Sequence, residues 1–218
     1  MQIICLANSW KEGGRCVAGI DTATGRWVRP VSSAEHGQLS LEQSSVMQNG
    51  RSRQIEPLDI VDFGQLQPAP LIGQPENFRL GTVAPRYAGK SAIEALRVHA
   101  DQRPFLLYGT GSSVAETDAR RVQASLCLIR VERPVFRVNP TNQRQLRVGF
   151  THSDTQYDLP VTDTSTWVEL ARIDPEGYSN GVWYLTVSLG VPWNGRMYKL
   201  VACGLAENED LPNYEDPF

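Results

Sequence analysis

Gly13-Gly14-Arg15-Cys16-Val17-Ala18-Gly19-Ile20-Asp21, followed by Gly25-Arg26-Trp27-Val28-Arg29-Pro30-Val31-Ser32, reads as two short strands joined by a tight turn. The intervening Asp21-Thr22-Ala23-Thr24-Gly25 is rich in residues that tolerate positive φ or hydrogen-bond their own backbone, as a hairpin loop requires. Arg15, Arg29 and Trp27 sit on this hairpin beside apolar neighbours. Guanidinium groups next to an indole can hold an anion and stack a flat ring. The combination points toward binding rather than catalysis.

Outward from the hairpin, the chain continues as short strands. Residues 2–8, 15–20 and 26–31 are bounded by Gly, Asn or Pro, and further strands are expected over 59–66 and 78–83. A short helix is expected around Leu39 to Gln43, and Pro68, Pro70, Gly73 and Pro75 exclude regular structure between 67 and 75. Ser91 to Ala100 reads as the main helix, capped by Ser91, with Ile93, Leu96 and Val98 on its apolar stripe. Gly109-Thr110-Gly111-Ser112-Ser113 marks a connector. Beyond it, residues 121–130 alternate as a half-buried strand, with Leu126 and Leu128 on one side and Ser125 and Cys127 on the other. Strands then follow at 135–138, 146–150, 157–161, 181–189 and 197–205, the last after a turn at Trp193-Asn194-Gly195. Two groups of short strands predict an all-β dominated chain with minor helix. The architecture is two small OB-like barrels in tandem with a short connecting helix. The predicted division is 1–110 for the first barrel and helix, 111–206 for the second barrel, and 207–218 for an acidic tail.

The chain of 218 residues is long enough to bury a sizeable core. No apolar run approaches the length needed to cross a bilayer, and the apolar start reads as a first strand rather than a leader, so a cytoplasmic location is expected. The four cysteines, Cys5, Cys16, Cys127 and Cys203, lack CxxC spacing and lie in strand-like contexts. Buried free thiols are expected, with neither a metal site nor a cofactor. The net charge of −3 hides an asymmetry. Residues 207–218 carry five acidic side chains and no basic one, whereas residues 120–147 hold seven arginines against Glu132 alone. That basic stretch suits a polyanion partner, or it is a solvated face balanced by the tail.

Several short motifs recur in a recognisable order. They are Leu6-Ala7-Asn8-Ser9 with Lys11, Gly14-Arg15-Cys16-Val17-Ala18-Gly19, Trp27-Val28-Arg29-Pro30-Val31-Ser32, and Gln74-Pro75-Glu76-Asn77. Leu159-Pro160-Val161-Thr162-Asp163 and Val187-Ser188-Leu189-Gly190 with Tyr198-Lys199-Leu200 complete the set. Together they resemble the bacterial dual OB-fold-containing domain family. The resemblance implies a pair of OB-like barrels, a nucleic-acid- or nucleotide-binding role, and a place in bacterial conflict, defence or stress-response systems. It brings no catalytic residues with it.

The candidate ligand surface comprises Ser9, Lys11, Arg15, Trp27, Arg29 and Ser32, with Gly13-Gly14 as a loop where backbone amides approach an anion. Trp27 as core and Arg29 paired with a carboxylate are the alternatives. Gln74 and Asn77 can read a base edge, or their segment is a locally bonded turn. Tyr184, Ser188, Trp193, Tyr198 and Lys199 form a last candidate group, in which Tyr198 and Lys199 can line a cleft between the barrels, with structural packing as the alternative for Trp193 and Tyr198. Arg121, Arg130, Arg137 and Arg147, interleaved with Phe136 and Phe150, form a candidate nucleic-acid face unless the rings are core. Catalysis by Cys16 beside Arg15, with His36, His99 or His152 as base, ranks below binding, because no motif fixes these groups together. The runner-up function is a protein-interaction or regulatory module that docks an effector through its barrels or tail.

Overall fold

Strand β1 (Gln2–Lys11) carries a continuous apolar run because both of its faces are covered. Ile3 and Cys5 enter one core, while Ile4 and Leu6 enter a second cluster shared with the other half of the chain. A β-bulge between Cys5 and Ala7 adds one residue to the strand. Alternation therefore restarts, and Leu6 and Ala7 both face the second half. The structure is a computed structural model that describes residues 1–163 and 181–207.

After β1 come β2 (Gly14–Asp21), β3 (Trp27–Val31), a separate hairpin of β4 (Ser45–Gln48) and β5 (Arg51–Gln54), then β6 (Asp59–Asp62), β7 (Gln67–Pro68), β8 (Asn77–Arg79) and β9 (Arg86–Lys90). The sheet order is β7-β8-β3-β2-β1-β6-β9, with β3 and β8 parallel and the other pairs antiparallel. Strands β6 and β7 lie toward opposite ends of that path yet are four residues apart in sequence. So short a link forces the sheet to curl back on itself, which closes a barrel around Ile3, Val17, Val28, Val61 and Phe63.

The second half repeats the device. It contains β10 (Ser113–Ala115), β11 (Leu126–Glu132), β12 (Val135–Asn139), β13 (Asn142–His152), β14 (Thr155–Val161), β15 (Val182–Leu189) and β16 (Arg196–Ala206). Its order is β11-β15-β16-β14-β13-β12, with β14 and β16 the parallel pair and β10 added beside β16. The two ends of the path, β11 and β12, are joined by Arg133 and Pro134 alone. This barrel closes over Trp183, whose ring meets Phe136 at 4.9 Å, and over Phe150 and Tyr157. The expected β-rich, two-barrel class therefore holds. Among the described residues no helix is long and apolar enough to cross a membrane.

Several local expectations need correction. The expected helix is a 3-10 segment, Ile93–His99, without a side-chain cap from Ser91. With three residues per turn, Ile93 and Leu96 share a face while Val98 falls off it and is 83% exposed. Residues 39–43 make only a turn, in which Ser40 and Gln43 exchange side-chain-to-backbone bonds. The strand expected over 78–83 ends at Arg79. The strand expected from residue 121 begins at Leu126 and is not half-buried: Cys127 and Ile129 enter the barrel core while Leu126 and Leu128 face the first barrel. Residues 208–218, the bulk of the expected acidic tail, lie outside the described residues, as do the side chains of Arg120 and Arg144.

The barrels meet along a seam of small and apolar side chains. Ala7 and Ala18 pack with Leu126, Ala202 and Cys203, and Leu96 plugs one end against Leu6, Ile20, Leu128 and Tyr184. Trp27 is half-buried in this seam, so its role is packing rather than ligand contact.

Candidate functional site

Beyond the bulge, Ala7, Ser9 and Lys11 follow one another at every second residue on the seam face of β1, with Cys16 and Ala18 beside them on β2. Register pairs Ala7 with Ala18 and Ser9 with Cys16. The opposite wall comes from the second barrel, where Leu126, Ser188 and Leu200 are cross-strand neighbours. Between the walls lies a cleft of about 240 Å³. It is smaller than most sites for drug-sized molecules and suits a base, a nucleotide or a group of similar bulk.

Arg29 forms the floor. It is 2% exposed, and its Nη2 lies 3.1 Å from the Glu76 carboxylate. The same nitrogen donates to Ser125 Oγ at 3.0 Å and Ser188 Oγ at 3.2 Å, while Nη1 donates to Asn77 Oδ1 at 3.4 Å. Glu76 in turn accepts from the Ser125 hydroxyl and from the Ser125 backbone N–H at 3.2 Å. Asn77 donates to Gln74 Oε1 at 3.3 Å. Parallel pairing of β3 with β8 brings these residues together, with the Arg29 N–H donating to the Glu76 carbonyl. Arg29, Glu76 and Asn77 belong to the first barrel, and Ser125 and Ser188 to the second. The network is a buried polar tether between barrels, so Arg29 is not a free phosphate ligand and the 74–77 segment is not merely a locally bonded turn. Among the described residues, Arg29 Nε has no hydrogen-bond partner.

Of Lys11 and Arg15, only Lys11 lines the cleft; Arg15 Nη1 donates to the Asn8 carbonyl at 3.5 Å. Lys11 lines the wall with no hydrogen-bond or ion-pair partner among the described residues. Burial lowers its pKa below the ordinary lysine value; Arg29 adds to this and Cys16 opposes it. Arg15 pairs with no carboxylate among the described residues, and its guanidinium sits 5.1 Å from the centroid of Trp10, its cross-strand neighbour. Trp10 is 51% exposed at the rim. Glu12 and Gly13 form the two-residue tip between β1 and β2, both at positive φ. Gly14 is thus a paired strand residue packed against the Leu39 carbonyl, which removes the expected amide loop.

Other candidates lie apart. The Ser32 hydroxyl donates to the Gln38 carbonyl and fixes a turn. Arg121 is exposed beside Asp118 at 3.8 Å. Arg130 Nε donates to Glu207 at 2.9 Å, and this bond together with one from Tyr184 holds the Glu207 carboxyl below its ordinary range. Arg137 and Arg147 both pair with Asp158, at 2.8 and 3.0 Å. Phe136 and Phe150 are core. The expected nucleic-acid face is therefore a set of ion pairs. Tyr198 and Trp193 do not pack inside; their rings meet at 5.8 Å on the surface. Cys16 and His36 both line the cleft, and no hydrogen bond joins them among the described residues.

Lys199 is buried away from the cleft. Its Nζ donates to the Gly109 carbonyl at 2.6 Å and lies 5.6 Å from the Tyr157 ring. Burial lowers its pKa to about 8. Because the unfolded chain holds this proton up to about pH 10.5, the cost of burying the charge is fully present below pH 8 and fades between those values. Buried Cys5 and Cys127, both raised by burial, act in the opposite sense at alkaline pH. The comparison of wild type with Lys199→Met isolates the lysine. The margin of the variant over wild type in urea unfolding is expected to shrink by on the order of 3 kcal/mol from pH 7 to 10.5. A margin independent of pH refutes the assignment.

No direct signal along the chain marks Glu76 and Ser125 as partners of Arg29, since the three lie far apart in it. Trp10 was within reach: a tryptophan at a Lys-Glu-Gly-Gly hairpin tip has little to pack against. A family model described as a dual OB-containing domain matches residues 1–203. No curated protein matches the chain.

Proposed function

Since the chain belongs to the dual OB-containing domain family, we propose that it is a non-catalytic module that seats a nucleotide unit of a nucleic acid or free nucleotide in the cleft between its barrels. In this reading Lys11 and Arg15 receive phosphate, and Trp10 stacks on the base. The observation that carries it is Lys11 in the cleft wall, without a carboxylate partner among the described residues, next to the exposed Trp10 indole at the rim, to which the Arg15 guanidinium comes within 5.1 Å from outside the cleft lining. OB-folds commonly use such positively charged, aromatic surfaces for nucleic acid. The ion-paired arginines of the second barrel concentrate the function in the seam. A sensing role in bacterial conflict or stress response belongs to the same proposal.

The test is a titration of short single-stranded oligonucleotides and a nucleoside monophosphate, followed by tryptophan quenching over a range of salt. Two phosphate contacts give a slope of about −1.4 in log K against log salt for a single strand. Lys11→Met/Arg15→Met is expected to weaken binding at least tenfold and to flatten that slope. A flat salt dependence in the wild type, or unchanged affinity in the double variant, refutes the reading.

A further inference from the structure

Among the described residues, Trp10 and Trp193 stand out in solvent beside two-residue hairpin tips that both have positive φ at their two central residues. Trp10 precedes the tip Glu12–Gly13, with φ of 44° and 77°. Trp193 precedes the tip Asn194–Gly195, with φ of 50° and 72°. Positive φ at both central residues is the mark of the tight turn that matches strand twist, so both tips are preorganised. The second tip is held further. Trp193 and Arg196 exchange backbone hydrogen bonds at 2.8 and 3.1 Å, and the Gly195 carbonyl accepts from Glu116 N–H at 2.9 Å. Arg196, the cross-strand neighbour of Trp193, donates from Nε to Ser113 Oγ at 2.7 Å and pairs with no carboxylate among the described residues. Trp193 is 65% exposed and Tyr198 38% exposed, and the two rings support each other. Gly190 and Val191, just before Trp193, line the cleft between the barrels.

We infer that Trp193, Tyr198 and Arg196 form a second stacking station on the opposite lip of the cleft. The ligand is then a single strand of several nucleotides, with one base at Trp10 and a later base at Trp193. The inference rests on the cleft reading above. A rigid, exposed indole with a cross-strand guanidinium that has no carboxylate partner among the described residues offers a π-face and a phosphate contact, which is the pair of features that sequence-tolerant single-strand binding uses. A duplex cannot use the station, because its bases are already stacked on one another.

The experiment compares thymidine monophosphate with oligothymidylates of two, four and six residues, and with a duplex of the longest length. Affinity is expected to rise at least tenfold from the mononucleotide to the tetranucleotide. Trp193→Ala should remove that gain while leaving the mononucleotide unaffected, and Trp193→Phe should keep most of it. Circular dichroism checks that the exposed substitution leaves the fold intact. Equal affinity for one and four nucleotides overturns the second station and leaves the cleft reading standing. Equal weakening of both ligands by Trp193→Ala, or duplex binding as tight as the single strand, overturns it too. A dimer in sedimentation that Trp193→Ala dissolves assigns the rings to a second copy and overturns it as well. If neither ligand binds, the cleft reading fails and takes this one with it.

Discussion

Glu76→Ala is expected to cost about 4 kcal/mol of folding stability, because it strands a guanidinium inside the protein. Arg29 is buried and cannot shed its proton, so without the carboxylate it remains charged with only hydroxyl and amide partners. The Ser125 N–H loses its acceptor in the same step. For a chain of this size the loss corresponds to a fall in Tm of roughly 8–16 °C. Arg29→Met is expected to cost less, because the Glu76 carboxylate keeps the Ser125 hydroxyl and backbone N–H as donors. The double variant Arg29→Met/Glu76→Leu should recover much of the loss, as buried pairs replaced by apolar groups often do. Urea unfolding measures all three. A loss within about 1 kcal/mol for Glu76→Ala means that water reaches the pair and that the tether is not what joins the barrels.

Gly19→Ala should be damaging on a similar scale. Gly19 lies in β2, paired with Cys5 on one side and Val28 on the other. A Cβ there would run into the Ile4 carbonyl of β1, well inside van der Waals contact, with Cys5 Cα close behind. The obstacle is backbone hydrogen-bonded into a sheet, so no rotamer change relieves it. The strands must separate beside the bulge that aims Ala7, Ser9 and Lys11 into the cleft. A loss of about 3 kcal/mol or more is expected, at the upper end for overpacking. Gly149→Ala in β13 is the control, since its nearest neighbours would be 3.8 Å away, an ordinary contact. It should leave stability unchanged or raise it by up to about 1 kcal/mol. Similar effects for the two substitutions refute the close approach of β1 and β2.

The opening hairpin was legible from sequence. Asp21 and Gly25 close it as expected: Gly25 sits at positive φ, and Thr24 Oγ1 donates to Asp21 at 2.6 Å. The face of Trp183, Leu185, Val187 and Leu189 was also legible, because alternation survives wherever one side of a strand faces a barrel core. It failed at β11, where Leu126, Cys127, Leu128 and Ile129 are all buried, because a second barrel covers the outer side. The basic stretch misled for a related reason. Arginines that look free in a sequence window found Asp158, Asp118 and Glu207 once the strands were paired.

Sequence by itself determined the strand-rich class, the tight turns and the residue types that can meet an anion, because these depend on local backbone chemistry and on alternation along single strands. Only the tertiary structure decided which of those residues are available. One extra residue in β1 turned Ser9 and Lys11 toward the second barrel, and a parallel pairing of distant strands gave Arg29 to Glu76. Both outcomes depend on register and burial, which are set by the whole packed chain and not by any segment of it.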